Sequence, residues 1–308
     1  MGFRLNPVLV VALVVALCAG VVFGLAYFRD RRAATPGALL EHLPSQEGVV
    51  LAVDLRALRA AGVLAALDGA RIGQEPEYVS FVTETGFDYQ EDLDYALAWF
   101  GNRTVCLLLK GRFDWRKLRT YATGQGGVCR NAFCRVEGST AERRISFFPL
   151  RRDVMAVGVG PDDWAASMLL TRQASRRGMN TPVRPVWLRV PSAALKDSEK
   201  LPAGTRLFAR AMEGAEDVSL SLSISEGRAA IELDATCPSI GDASALSFQL
   251  EGLTRVLKEM IAREQQTPNP RDLSGVLAAG VFNRVDRRVV GRWPVEREFL
   301  EGILGDSP

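Results

Sequence analysis

The sequence predicts an α+β protein with one N-terminal transmembrane helix followed by two mainly antiparallel α+β lobes. Three observations carry that expectation. From Pro7 to Phe28 there are 22 residues without a charge, and at 1.5 Å of rise per residue such a run reaches across the roughly 30 Å hydrocarbon core of a bilayer. Further on, apolar residues alternate with polar ones at the period of half-buried strands, and these stretches are punctuated by amphipathic segments at helical spacing. The order of elements is similar enough in the two halves for a divergent duplication to be one reading of it.

Taken in order, residues 1–32 form the expected anchor with its basic flank, 33–47 a juxtamembrane linker, 48–178 the first lobe, 179–204 an inter-lobe segment and 205–308 the second lobe. The apolar run exceeds the 7–15 residues or so of a cleavable signal peptide. Tyr27, Phe28, Arg29 and Asp30 stand where a small-residue cleavage site would be needed, which favours an uncleaved signal anchor. Cys18 follows the bulky Leu17, unlike a lipoprotein processing site, and reads as a small apolar residue of the helix. The flanks disagree on topology. Arg29, Arg31 and Arg32 after the span favour a cytoplasmic body by the positive-inside rule, whereas the short basic leader with Arg4 has the form of a signal anchor that exports the body. An extracytoplasmic body, periplasmic in a two-membrane cell, is the expectation, with a cytoplasmic body as its alternative.

In the first lobe, "VVLAVDL" is a strand running straight into a helix, with Leu55, Leu58, Leu64 and Leu67 as inward positions. Strands follow near Tyr95–Phe100 and Thr104–Lys110. A helix then starts at Asp114, whose carboxylate suits the N-cap, while Phe113 and Leu118 have the spacing of a hydrophobic staple. Past "TGQGG", alternation around Cys129–Val136, Arg144–Leu150 and Val154–Val159 predicts an antiparallel meander, and "PDDWAASMLLTRQ" a helix capped near Asp162. "RGMNTPVRP" is the linker candidate. In the second lobe, Val218, Leu220, Leu222 and Ile224 alternate with serines, so one face is buried and the other wet. Leu246, Leu250, Leu253, Leu257 and Met260 make the stripe of a covering helix. Strands are expected near Val276–Phe282 and Arg288–Trp293, and Pro294 is expected to start a last short helix.

Chemical motifs are sparse. The glycines at 124, 126 and 127 lack the G-K-[ST] ending of a phosphate loop, and no G-x-S-x-G elbow is present. His42, the only histidine, reads as a surface residue. Asp88, Glu91, Asp92 and Asp94 lack the glycine and terminal glutamate of an EF-hand and read as turn and cap carboxylates. Trp99, Trp115, Trp164, Trp187 and Trp293 are expected to pack in the core or between lobes. Of the cysteines outside the span, Cys106 and Cys237 read as isolated thiols. Cys129 and Cys134 are the candidate disulfide, within reach of each other if their segment is a hairpin; the alternative is two more isolated thiols. No catalytic, cofactor-binding or metal-binding residue is assigned, and no cofactor. The net charge is +2, or +1 without Arg4, which supplies no field for nucleic acid.

The stretches "LPSQEGVVLAVDLRALRAAGVL", "LKGRFDWRKL" and "VVGRWPVEREFLEGIL" loosely resemble uncharacterised bacterial envelope proteins with one N-terminal membrane anchor and an α+β body. That resemblance implies an envelope setting and carries no established activity. The expected function is a membrane-tethered, non-enzymatic protein that binds or scaffolds a partner macromolecule, another envelope protein being the expected partner. Its alternatives are an anchored hydrolase or transferase whose site assembles only on folding, and a small-ligand sensor working with a partner. Oligomeric state is not legible at this level.

Overall fold

The computed structural model describes residues 35–45, 47–66, 76–101, 103–138, 140, 142–173, 183–196, 203–225, 228–263, 268–269, 271–296 and 299. In chain order the elements are α1 (Pro36–Leu40), β1 (Val49–Asp54), α2 (Leu55–Ala60), α3 (Val63–Ala66), α4 (Pro76–Thr85), α5 (Tyr89–Asp92), β2 (Leu93–Gly101), β3 (Thr104–Gly111) and α6 (Trp115–Gly124). There follow β4 (Val128–Arg130), β5 (Phe133–Glu137), β6 (Arg144–Arg151), β7 (Val154–Gly160), a 3₁₀ turn at Ala165–Leu169, β8 (Val186–Pro191), α7 (Ser192–Leu195) and α8 (Ala203–Ala211). The chain continues through β9 (Asp217–Ser225), β10 (Arg228–Thr236), α9 (Ile240–Arg263), α10 (Leu273–Ala278), β11 (Val281–Val285) and β12 (Arg288–Val295).

The 12 strands among the described residues form one antiparallel sheet, in the order β11-β12-β10-β9-β8-β1-β2-β3-β7-β6-β5-β4. This corrects the expectation of two lobes. The reason lies in β8, inside the supposed inter-lobe segment: Trp187 pairs with Ala52 of β1 on one side and with Ser221 of β9 on the other. A strand paired on both sides leaves no free edge at which lobes could part. The expected transmembrane helix has no counterpart among the described helices. No helix among the described residues is long and apolar enough to cross a membrane, and the Pro7–Phe28 run lies outside them. The longest helix, α9 with 24 residues, carries charges on its outer face and buries only the stripe of Ala243, Leu246, Leu250 and neighbours. The fold class is therefore α+β on a single large antiparallel sheet.

The two halves nonetheless share a connectivity of strand, helix, hairpin, helix, hairpin. In space β8, β9, β10, β12 and β11 repeat the adjacency of β1, β2, β3, β7 and β6, with β1 and β8 meeting at the centre; β4 and β5 extend the first half alone. Asp114 starts α6 as expected, accepting from the backbone N–H groups of Arg116 and Lys117 at 3.0 and 3.1 Å, while Leu118 is buried with Phe113 packed in the same cluster.

The helix expected on "PDDWAASMLLTRQ" is only the 3₁₀ turn Ala165–Leu169, and two expectations in the second half fail for identifiable reasons. Val276 lies in helix α10 rather than in a strand, because Asp272 caps the turn by accepting from Gly275 N–H at 2.8 Å; the strand starts only at Val281. Pro294 continues β12 opposite Ala230 instead of starting a helix. β11 pairs with β12 only as far as Arg292, so the position of the missing proline N–H has no strand to bond on that side.

One face of the sheet is covered along its length. In the first half α2 and α6 contribute Leu55, Leu58 and Leu118 over Leu93, Phe147 and Met155. In the second half α8, α9 and α10 contribute Phe208, Leu246, Leu250 and Val276 over Val218, Leu233, Val289 and Trp293. Among the described residues the other face is covered only in the first half, where Leu39, Leu40 and Leu43 from α1 and its following turn, with Leu169 from the 3₁₀ segment, bury Val50, Ala52, Leu97, Leu108 and Trp187.

Candidate functional site

The half-covered face changes character at β8. Side chains paired across antiparallel strands share a face, and one such ladder runs Leu108, Leu97, Ala52, Trp187, then Ser221, Glu232, Arg292 and Val281. The next runs Cys106, Trp99, Val50, then Arg189, Ser219, Asp234, Val290 and Asn283. Residues up to Trp187 are apolar and roofed. Beyond it they are polar except for Val290 and Val281, and the twisted sheet forms a trough of about 600 Å³ whose lining includes Arg184, Arg189, Asp217, Glu232, Arg288 and Arg292.

Charge in the trough is largely paired. Arg184 meets Glu232 at 2.7 Å, and both carboxylate oxygens of Asp217 lie within 3.1 Å of Arg189 Nε. Arg288 grips Asp234 with two guanidinium nitrogens, which raises its pKa through that hydrogen bond and the adjacent charge. Arg184–Glu232 and Arg288–Asp234 are substantially exposed, so each contributes at most about 1 kcal/mol to stability, whereas the Arg189 side chain is only 15% exposed. Arg292 stands opposite Glu232 in register but makes no ion pair or hydrogen bond among the described residues, since Glu232 is engaged by Arg184. The trough thus holds four guanidinium groups against three carboxylates, with the hydroxyls of Ser219 and Ser221 between them.

The residues singled out by sequence lie elsewhere. Cys129 and Cys134 face each other across β4 and β5 with Cα atoms 4.0 Å apart and are joined by a 2.02 Å S–S bond. Cys106 and Cys237 are free, buried thiols. Burial pushes the Cys106 pKa up to about 11 and raises that of Cys237, whose neighbours Asp242 and Glu216 add to the effect; neither is an activated nucleophile. Asp88 caps α5 through Gln90 N–H at 2.9 Å and accepts from the Tyr78 hydroxyl at 3.1 Å. Asp92 accepts from Arg112 Nε at 2.9 Å and Asp88 N–H at 3.0 Å, while Asp94 pairs with Arg56 at 3.3 Å. The acidic run therefore secures α5 and the start of β2. No group of three or more His, Cys, Asp or Glu side chains placed to hold a metal occurs among the described residues. Trp99, Trp187 and Trp293 are buried, whereas Trp164 is half exposed and stacks on Phe133 at 4.8 Å.

His42 is not at the surface. It is buried within the roof of the first half, between α1 and the 3₁₀ segment, where Nε2 accepts from Arg172 Nε at 3.2 Å and Nδ1–H consequently donates to the Leu169 carbonyl at 2.9 Å. Burial lowers its pKa below 6.5, helped by the Arg172 charge and opposed by the Leu169 bond and Glu41. A histidine held neutral binds fewer protons folded than unfolded. Stability should therefore be full above pH 6.5 and fall as pH drops from 6.5 towards the lower folded value. Urea midpoints measured between pH 7.5 and 5 should show this slope, and His42→Gln should flatten it; an unchanged slope in the variant would assign the effect to other groups.

No protein-family model matches the chain, and no curated protein matches it. Among solved structures it is similar to TP0453. Crystal form III of that protein is 9% identical with a TM-score of 0.50, covering 86% of this chain and 97% of that one. Crystal form I is 11% identical at the same TM-score, covering 87% and 98%. At these identities the likeness concerns the fold alone, and its coverage extends well beyond one half of the chain.

The trough residues were partly legible. Alternation marked one face of the Val218–Ile224 strand as wet, and Arg288, Val290 and Arg292 continue it two residues apart. The missing signal was β8, which decides that the wet strands share one surface and that the roof ends beside them.

Proposed function

We propose that this chain is a non-enzymatic binding protein of an oxidising, extracytoplasmic compartment, and that the unroofed half of its sheet takes hold of a partner protein. The observation that carries this reading is the abrupt change from roofed apolar to open polar surface on one continuous sheet face, ending in a trough with a surplus guanidinium. Water solvates an open antiparallel face adequately, but surplus positive charge with neighbouring free hydroxyls also suits the carboxylates and backbone carbonyls of a docked chain. The Cys129–Cys134 bond supports the compartment, because disulfides persist where thiols are not kept reduced.

Photocrosslinking groups placed at Ser221 and at Arg292 in the full chain test the reading. Both positions should yield adducts with one and the same protein, whereas the same group at Lys258, on the covering helix α9, should not. Arg292→Glu should reduce the Ser221 adduct about tenfold without altering the fold. Equal labelling from all three positions, or no adduct together with substrate turnover by the purified chain, would overturn it.

A further inference from the structure

A 12-stranded open sheet has two edges, and they are treated differently. At β4 the edge is three residues long, is stapled to β5 by the Cys129–Cys134 bond and has α6 packed beside it. At the other end β11 is five residues long and is the outermost strand among the described residues. Val281 and Val285 there are 60% and 53% exposed. Edge strands are ordinarily protected by a charge projecting into the pairing lane. The only charged side chain of β11, Arg284, instead folds back to donate to the Asp286 carbonyl at 3.2 Å.

The hairpin fixes which backbone groups are available. Val285 and Arg288 flank the two-residue turn at Asp286 and Arg287, with Asp286 at φ 52° as such tight hairpins require. The turn's closing bonds make Val285 and Arg288 a hydrogen-bonded pair. By alternation Asn283 and Val281 also spend their N–H and C=O groups on β12, and those of Phe282 and Arg284 point outward.

We propose that two copies of the chain pair antiparallel through β11, about a two-fold axis passing beside Asn283. The sequence V-F-N-R-V is self-complementary in this register. Val281 of one copy lies opposite Val285 of the other, twice, so that two exposed apolar side chains cover each other on the open face. Phe282 lies opposite Arg284, which keeps like charges apart, and the outward groups of these two residues form the hydrogen-bonded pairs. Asn283 meets its own copy at a non-hydrogen-bonded position, where side chains approach most closely and two carboxamides can bond each other. A shift by one residue in either direction would set an outward-pointing residue opposite one already bonded to β12 and turn the buried face outward, so such slips are excluded. The pairing joins the two troughs into one surface across the axis, and it holds whether or not the trough binds a partner protein.

Site-specific disulfide formation in the full chain tests this, in a Cys18→Ala background and a non-ionic detergent so that association through Pro7–Phe28 does not contribute. At the axis, Cα atoms of a non-hydrogen-bonded pair are about 4.5 Å apart, within disulfide reach. Asn283→Cys should therefore give a mapped 283–283 crosslink under mild oxidation. Val281→Cys alone should not, because its symmetry mates are offset by four residues, roughly 13 Å; mixed with Val285→Cys it should. Adding Val281→Lys and Val285→Lys to Asn283→Cys should reduce the crosslink at least tenfold, with Cys129–Cys134 intact as the check on folding. Sedimentation of the unsubstituted chain should give twice the monomer mass, and the double-lysine variant the monomer mass. A monomeric unsubstituted chain, or Val281→Cys crosslinking to itself as well as Asn283→Cys does, would overturn the proposal.

Discussion

Trp187→Ala is expected to lower the stability of the folded chain by about 3–5 kcal/mol, the usual cost of truncating a buried large aromatic side chain. Trp187 is 5% exposed and belongs to the first half's core with Leu39, Leu97 and Leu108, yet it sits on the strand that joins the halves. Removing it leaves a void at the one place where roofed and open surface meet, and the flanking β1 and β9 cannot close in because both are held in register. If the sheet is a single cooperative unit, hydrogen-exchange protection should fall together in peptides from β7 and from β10. A response confined to residues 49–160, or a urea transition that splits in two, would mean that the halves unfold separately despite their shared sheet.

That distinction marks where sequence ceased to be informative. Elements whose signals are local were legible: Asp114 as a cap, the Thr104–Lys110 strand, the alternation from Val218 to Ile224 and the stripe from Leu246 to Leu257. Each rests on contacts a few residues apart. The merging of two expected lobes rests on "VWLRVP", a six-residue strand hidden among prolines and arginines whose pattern does not say that both its edges are taken. His42 misled because its partners, Leu169 and Arg172, are 127 and 130 residues away. Trough charges such as Asp234 and Arg288 look like ordinary solvated residues until β10 and β12 are adjacent. Val276 misled for the opposite reason: a β-branched residue suggested a strand, and the cap at Asp272 together with burial under α9 decided for a helix.

Glycines give the last contrast, since two of them should respond to the same substitution with opposite signs. Gly158 lies on β7 between Cys106 and Ser146, directly beneath the 3₁₀ segment. A Cβ there would overlap the backbone of Ala165 and Ala166, and Ala166 N–H is bonded to the buried Ser146 hydroxyl at 3.0 Å. Gly158→Ala must therefore lift this segment, which strains the packing and leaves Ser146 without its partner, at a combined cost of about 2–4 kcal/mol. The same displacement moves Leu169 from His42, so the pH slope assigned to that histidine should weaken in the variant. Gly252 is in the interior of α9, where a Cβ would meet nothing within 4 Å. There alanine only restricts the unfolded chain and favours the helix, and Gly252→Ala should stabilise by roughly 0.5–1 kcal/mol. Urea titrations of both variants at pH 7.5 give the two signs directly. Equal, small effects would show that the roof over Gly158 is not packed closely enough to exclude a methyl group, and would remove the ground for coupling that packing to the pH slope of His42.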